Sequence, residues 1–247
     1  MRHLSAFDII RIWETGRNQH PLDRALTILS TGHPKVTWGQ LADLTIGQRD
    51  GCLLNLREKT FGSILKGLAE CPKCAEHLEF TMSTSELRIL QETGFAAKEK
   101  PLEMTAENVK LKFRLPNSVD LATVVGCESA QSAYSLLIQR CVLEATANGK
   151  PITMEKLPVE VINKLAARMA DYEPQAEILL EFQCPACSHK WRMIFDIAAF
   201  LWKEISIHAK HLLREVHILA SAYKWREADI LSMSPIRRKY YLDMVTL

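Results

Sequence analysis

Two short stretches constrain this chain more than anything else in it. Residues 183–191 read QCPACSHKW, and residues 71–80 read CPKCAEHLEF. Each holds a Cys-Pro-Xaa-Cys turn, and each turn runs into alternating apolar residues. A Cys-Xaa-Xaa-Cys turn brings two thiolates to bear on one ion. Two such turns supply the four soft ligands of a tetrahedral site. If the turns meet, Cys71, Cys74, Cys184 and Cys187 close a long loop and tie the middle of the chain to its C-terminal half.

The flanks say what sort of site to expect. The second pair lies between AEILLEFQ and HKWRMIFD, both alternating, so it reads as a hairpin with a metal knuckle at its tip. That is the layout of half a zinc ribbon. The first pair precedes HLEFTMS, a strand that would join the same sheet. Structural zinc on the four cysteines is therefore the expectation. Redox thiols are one alternative, but those motifs open a helix, whose dipole depresses a thiol pKa, and both pairs here lead into strands. Cysteines without metal are the other. A catalytic zinc keeps a position open for water, and four cysteines leave none. His77 and His189 lie beside the pairs and are the residues that would replace a cysteine ligand; the plainer reading is two partly exposed strand residues.

Compartment bears on the choice between metal and disulfide. Asp8, Arg11 and Glu14 interrupt the apolar N-terminal stretch, so no signal peptide is expected. No run reaches the eighteen or so apolar residues of a membrane helix. A cytosolic, reducing origin follows, which disfavours stable disulfides. Seven cysteines is an odd number, with Cys52, Cys127 and Cys141 standing alone. The 31 basic and 29 acidic residues nearly cancel, which gives no overall electrostatic case for nucleic acid.

The remaining pattern predicts an α+β chain: N-terminal and C-terminal helices around a small antiparallel, zinc-ribbon-like sheet of about four strands. Helices are expected over 4–13, from Pro21, over 48–70 with apolar residues at 53, 56, 61, 64, 65 and 68, over 119–146 with a break near Gly126, and over 157–174. Residues 32–50 read as a loop that ends in the next helix, and 86–107 as a helical turn followed by a polar linker. NVKLKFRLP, 108–116, is a further strand. Asp196 reads as the N-cap of a long helix, and Ser234-Pro235 as the start of the last of two short ones. The divisions are 1–70, a helical region; 71–196, sheet and helices with the two knuckles; and 197–247, a second helical region, with no linker separating them.

Other features are weaker. His208, His211 and His217 share the long helix but have no evident further ligand. RRKYY, 237–241, would suit phosphate and base stacking, or a charged helix face anchored by tyrosines. The segment 219–242 has helix-turn-helix rhythm, which helical hairpins also show. No catalytic triad, paired carboxylates or phosphate loop stands out, so no enzyme is expected. Phe200, Leu201 and Trp202 are consecutive on a helix and cannot all face one way.

Three stretches together resemble a known family. They are WETGRNQHPLDRALTIL; LADLTIGQRDGCLLNLREKTFGSILKGLAECPKCAEHLEF; and FQCPACSHKWRMIFDIAAFLWKEI, continued by LLREVHILASAYKWREADILSMSPIRRKYYLDMV. The ordered set resembles the baseplate proteins of T-even-type phages and their relatives in phage-tail-like contractile injection systems. The resemblance implies a structural or assembly component that is made in the bacterial cytoplasm. Its partners would be other baseplate proteins and spike, tube or sheath subunits. It implies no catalytic residue, and it carries Cys71, Cys74, Cys184 and Cys187 as the metal site. The alternative is a zinc-ribbon nucleic-acid-binding or regulatory protein. That reading needs a basic stripe, whereas the basic residues here alternate with acids, as at Lys203–Glu204, Arg214–Glu215 and Arg226–Glu227.

Overall fold

Helix starts in this chain are written into its side chains. In the computed structural model, which describes residues 1–88 and 100–245, α1 (Ala6–Gly16) begins behind Ser5. The Ser5 hydroxyl accepts from the Asp8 N–H at 3.2 Å, and the Asp8 carboxylate accepts the Ser5 N–H at 2.9 Å. This reciprocal pair satisfies two orphan donors at the helix end. α2 (Pro21–Gly32) opens on proline, where a missing N–H costs little. α3 (Trp38–Ala42) lies in the stretch expected to be a loop; Thr37 and Gln40 form its capping box, a signal present in the sequence.

α4 (Ile46–Phe61) ends nine residues before the expected helix does. Gly62 has a φ of +91° and turns the chain out of the helix. The chain then enters β1 (Ile64–Glu70), paired antiparallel with β2 (His77–Ser83). The apolar spacing at 61, 64, 65 and 68 suits a helix. In the strand, however, it is Leu65 and Ala69 that are buried, while Leu68 is exposed. Gly67 sits under the Phe80 ring, where a Cβ would come within 2.3 Å of Cζ. α5 (Thr84–Leu87) comes directly after β2; most of the expected linker lies outside the described residues.

β3 (Leu102–Ala106) and β4 (Val109–Phe113) form a hairpin whose two loop residues, Glu107 and Asn108, both have positive φ. Such turns match the right-handed twist of the strands. The expected helix over 119–146 divides into α6 (Ser118–Val124) and α7 (Ala130–Cys141), and its last residues become β5 (Val142–Ala147). β5 pairs with β4, and Asn148–Gly149, another positive-φ pair, returns the chain to the short β6 (Lys150–Pro151). The open edge of β4 and this Asn-Gly turn together override the helical pattern. α8 (Val159–Tyr172) then packs across the four-stranded sheet, ordered β3-β4-β5-β6. Its core joins Val109, Leu111 and Phe113 with Ile138, Cys141, Val161 and Leu165. At the start of α6 the buried Asp120 carboxylate accepts from Arg114 Nη2 at 2.9 Å, Arg140 Nε at 2.8 Å and the Asn117 N–H at 3.1 Å.

β7 (Leu179–Gln183) and β8 (Lys190–Ile194) make another two-stranded hairpin. Asp196 caps α9 (Ile197–Tyr223) through the Ala199 N–H at 3.0 Å. α10 (Glu227–Ser232) and α11 (Pro235–Val245) complete the order, and Ser234 accepts from the Arg237 N–H at 3.2 Å, as its N-cap role requires. Of the three consecutive residues on α9, Leu201 is fully buried and the other two are half-buried.

The α+β character stands, but the sheet is organised differently from the expectation. The knuckles belong to two separate two-stranded sheets, and the four-stranded sheet lies between them in sequence. The chain forms two compact units, each drawn from separated stretches: Met1–Lys35, Leu53–Ser63 and Asp196–Leu247; and Val36–Cys52 with Ile64–Phe195. In the first, α9 packs against α1 and buries Ile197, Leu201, Ile205 and Ala209. Its buried Arg57 donates to Glu204 at 2.7 and 2.9 Å and to the Gly62 carbonyl at 2.7 Å. The second unit holds all three sheets.

Candidate metal centre

The two knuckles are built alike. In the first, the Cys71 N–H donates to the Glu76 carbonyl and the Ala75 N–H to the Cys71 carbonyl, each at 2.9 Å. In the second, the Cys184 N–H donates to His189 and the Ser188 N–H to Cys184, again at 2.9 Å. Ala75 and Ser188, the residues after the second cysteine of each turn, are left-handed, with φ of 59° and 56°. The strands flank each turn in the same register: Glu70 faces His77 in one hairpin, and Gln183 faces Lys190 in the other. The sequence echo is thus a structural repeat of strand, knuckle and strand.

Side chains, not a shared ladder, bring the hairpins together. Phe80 of β2 meets Phe182 of β7 edge-on at 5.4 Å, and Phe182 stacks on Trp191 across its own hairpin at 5.4 Å. The four strands do not merge into one sheet: contact between the hairpins is made by side chains, with no ladder joining them. This contact also places the turns tip to tip. Cys71 Sγ lies 3.7 Å from Cys187 Sγ, and Cys74 Sγ lies 3.5 Å from Cys184 Sγ. All four sulfurs lie within 4.8 Å of one another. The contacts are too long for disulfides, whose S–S bond is about 2.05 Å. Four thiolates around an ion at about 2.3 Å would stand about 3.8 Å apart. The donor set and its spacing therefore fit a tetrahedral thiophilic metal ion.

Backbone donors favour negative charge on the sulfurs, and burial opposes it. Cys71 and Cys184 are buried, Cys187 is half-buried and Cys74 is exposed. Burial opposes ionisation of Cys71. The backbone N–H groups of Lys73 and Cys74 and the thiols of Cys74 and Cys187 outweigh it and pull its pKa down. Around Cys74 the Glu76 N–H favours the thiolate, but the thiol of Cys187, burial and the thiols of Cys184 and Cys71 push its pKa up. Successive N–H groups in a turn that ends left-handed form a nest for anionic sulfur.

All four sequence-predicted ligands thus converge, and among the described residues they are the one group of three or more His, Cys, Asp or Glu side chains placed to hold a metal. His77 opens β2, exposed, and His189 stacks on Trp191 with ring centroids 6.2 Å apart. His208 stacks on Phe61 at 4.6 Å, and His211 and His217 are exposed on α9. In the 237–241 run, Arg238 is buried and donates to Glu215 at 2.9 Å, so its charge serves packing. Sequence reasoning missed the left-handed Ala75 and Ser188 and the aromatic contact beneath the site. The matching two-residue spacer after each pair, Ala75–Glu76 and Ser188–His189, is the signal that would have revealed the former.

No described helix is long and apolar enough to cross a membrane. A family model described as T4 bacteriophage base plate protein matches residues 30–202, more than half of the chain and a span that includes all four cysteines. No curated protein and no solved structure matches the chain.

Proposed function

Because the chain belongs to the T4 bacteriophage base plate protein family, we propose that it is a structural or assembly component of the baseplate of a contractile phage tail or phage-tail-like injection system. It works through contacts with other baseplate proteins and with spike, tube or sheath subunits. It is made and assembled in the bacterial cytoplasm, and its role is not catalytic. The observation that carries the reading is the family match over residues 30–202 together with a four-cysteine clasp inside that span.

The metal is a structural zinc held by Cys71, Cys74, Cys184 and Cys187. A bound zinc ion supplies four strong bonds to thiolate and no open position for chemistry. The hairpins supply the shape and the backbone N–H donors. A part that must dock needs its surface ordered before its partners arrive, because prior order lowers the entropic cost of binding. The nucleic-acid alternative receives less support from the surface. Three of the basic side chains on the sheets are paired with acids across strands: Lys110 with Glu103, Lys112 with Glu144, and Arg192 with Glu181.

The test is removal of the gene from cells that express the whole particle, followed by electron microscopy of lysates. Tube and sheath subunits should be made but not organised into complete particles. Normal numbers of contraction-competent particles would refute the baseplate role. Altered expression of the particle genes with normal assembly would favour the regulatory alternative. Purified protein should carry about one equivalent of zinc, as the single four-thiolate site requires.

A further inference from the structure

Along α9 the sequence sets bases beside acids, at Lys203–Glu204 and Arg214–Glu215, and the fold separates them. Glu204 and Glu215 are the only acidic residues of this helix, and both turn inward. Glu204 accepts from the buried Arg57 at 2.7 and 2.9 Å, and Glu215 from the buried Arg238 at 2.9 Å. The bases stay outside. At about 100° per residue, Lys203, Ile207, Lys210, Arg214 and His217 fall within one sector of about 80°, opposite the buried Leu201, Ile205 and Leu212. All five are exposed, Ile207 by 54%. Among the described residues no acid lies within ion-pair distance of Lys203, Lys210 or Arg214. On the sheets, by contrast, Lys110, Lys112 and Arg192 each have a cross-strand carboxylate at 2.7–2.9 Å. Three like charges thus stand roughly 10 and 6 Å apart along the axis of α9, on a chain whose net charge is only +2.

We propose that this face of α9 is a docking surface for an acidic, amphipathic helix of a protein partner. Its single sign of charge selects an anionic occupant. A second copy of the same face would set cation against cation. Lys210 and Arg214 lie one turn apart, a like-charge pair that weakens a free helix and that a facing carboxylate relieves. Nucleic acid is the other polyanion, and the face suits it poorly. Three fixed cations fall short of the roughly six to ten phosphate contacts of a firm duplex binder. The sector carries no phenylalanine, tyrosine or tryptophan to stack on bases. Ile207 stands between Lys203 and Lys210 and offers an apolar contact that a phosphate backbone cannot match. A second helix meets all of these features. It has the same rise, so its carboxylates can face the three cations in one alignment, with an apolar side chain over Ile207. Exposed ion pairs set orientation and encounter rate more than affinity, so the isolated contact is weak. The proposal does not depend on the baseplate reading, since any acidic protein partner satisfies it.

A designed peptide tests it. The probe has about 20 residues, long enough to hold a helix, with glutamates along one face around a central leucine. A control peptide has the same composition with its glutamates spread round the helix. Each is titrated into the full-length, zinc-loaded, isotope-labelled protein and followed by NMR. The probe should shift the amides of residues 203–217 with a Kd of about a millimolar at ~20 mM salt, and roughly tenfold weaker at ~200 mM. The control should bind about fivefold more weakly or worse, because its charges cannot all face α9. Lys210→Glu should weaken probe binding about tenfold with its thermal melt unchanged; Arg214→Glu gives the same readout if the first variant folds poorly. A probe that shifts no α9 amide overturns the proposal. So does equal binding of probe and control, or binding indifferent to both charge reversals. A short DNA duplex that shifts the same amides at lower concentration than the probe would assign the face to nucleic acid and overturn the protein-partner proposal.

Discussion

The four-stranded sheet and the paired hairpins sit in the same compact unit and are held together in opposite ways. The sheet β3–β6 lies under α7 and α8 with a continuous apolar core, in which Leu111, Phe113, Val161 and Leu165 are fully buried. The hairpins β1–β2 and β7–β8 have two strands each, alternately exposed, and meet through a few aromatic rings and four sulfurs. An isolated two-stranded hairpin is marginal in water. Where buried area is too small to hold a structure, a metal site supplies the missing cohesion. A metal on the four cysteines would let one chain use both devices side by side, each where the local sequence allows it.

The largest effect should come from taking the metal away. Chelation of zinc, or Cys184→Ser, should destabilise the hairpins by several kcal/mol, less than the roughly 10 kcal/mol of isolated zinc-finger peptides because aromatic packing remains. Hydrogen exchange should show lost protection in β1, β2, β7 and β8 while β4 amides stay protected. Equal loss in both regions would break the comparison, since it would mean that they unfold together. Phe113→Ala is the converse experiment. Opening a cavity under the sheet should cost about 3–5 kcal/mol in denaturant melts. Zinc content of the folded protein should be unchanged.

Asp120 separates the two regions by pH. Burial opposes its ionisation, but the guanidinium groups of Arg114 and Arg140 and the Asn117 N–H hold its pKa below the ordinary carboxylate value. A depressed folded-state pKa contributes stability that is full above the unfolded value and is lost as pH falls through the folded one. Asp120→Asn should therefore cost about 2 kcal/mol near neutral pH, discounted because both arginines are partly exposed. The difference from wild type should shrink on acidification below about pH 4. A constant difference down to about pH 2 would deny that the carboxylate's charge is what matters. The smallest effect is a gain. Ala75 is left-handed, which costs a residue with a Cβ about 1 kcal/mol, so Ala75→Gly should raise the melting temperature of the zinc-loaded protein slightly. A loss instead would show that freedom in the unfolded chain outweighs the relieved strain.

Much of the helical framework was legible because its signals are local. Ser5, Asp196 and Ser234 announce helix starts through bonds made within three residues. The errors fell where a local pattern served two structures. Residues 64–70 and 142–147 carry apolar spacings compatible with a helix, yet both are strands. Gly62 and the Asn148–Gly149 turn decide the matter, along with a strand partner that no window of sequence contains.

The cysteine spacing by itself pointed to the candidate ligand set, since two thiols three positions apart can reach one ion and two such turns complete a tetrahedron. The order of motifs by itself pointed to the family. Only the tertiary structure decided that the two turns meet, that they do so as matching hairpins joined by side chains, and that the four-stranded sheet stands apart from them. Knuckle chemistry is encoded in neighbouring residues. The meeting of two hairpins depends on contacts such as Phe80 with Phe182, between residues far apart in the chain, whose pairing no local pattern specifies.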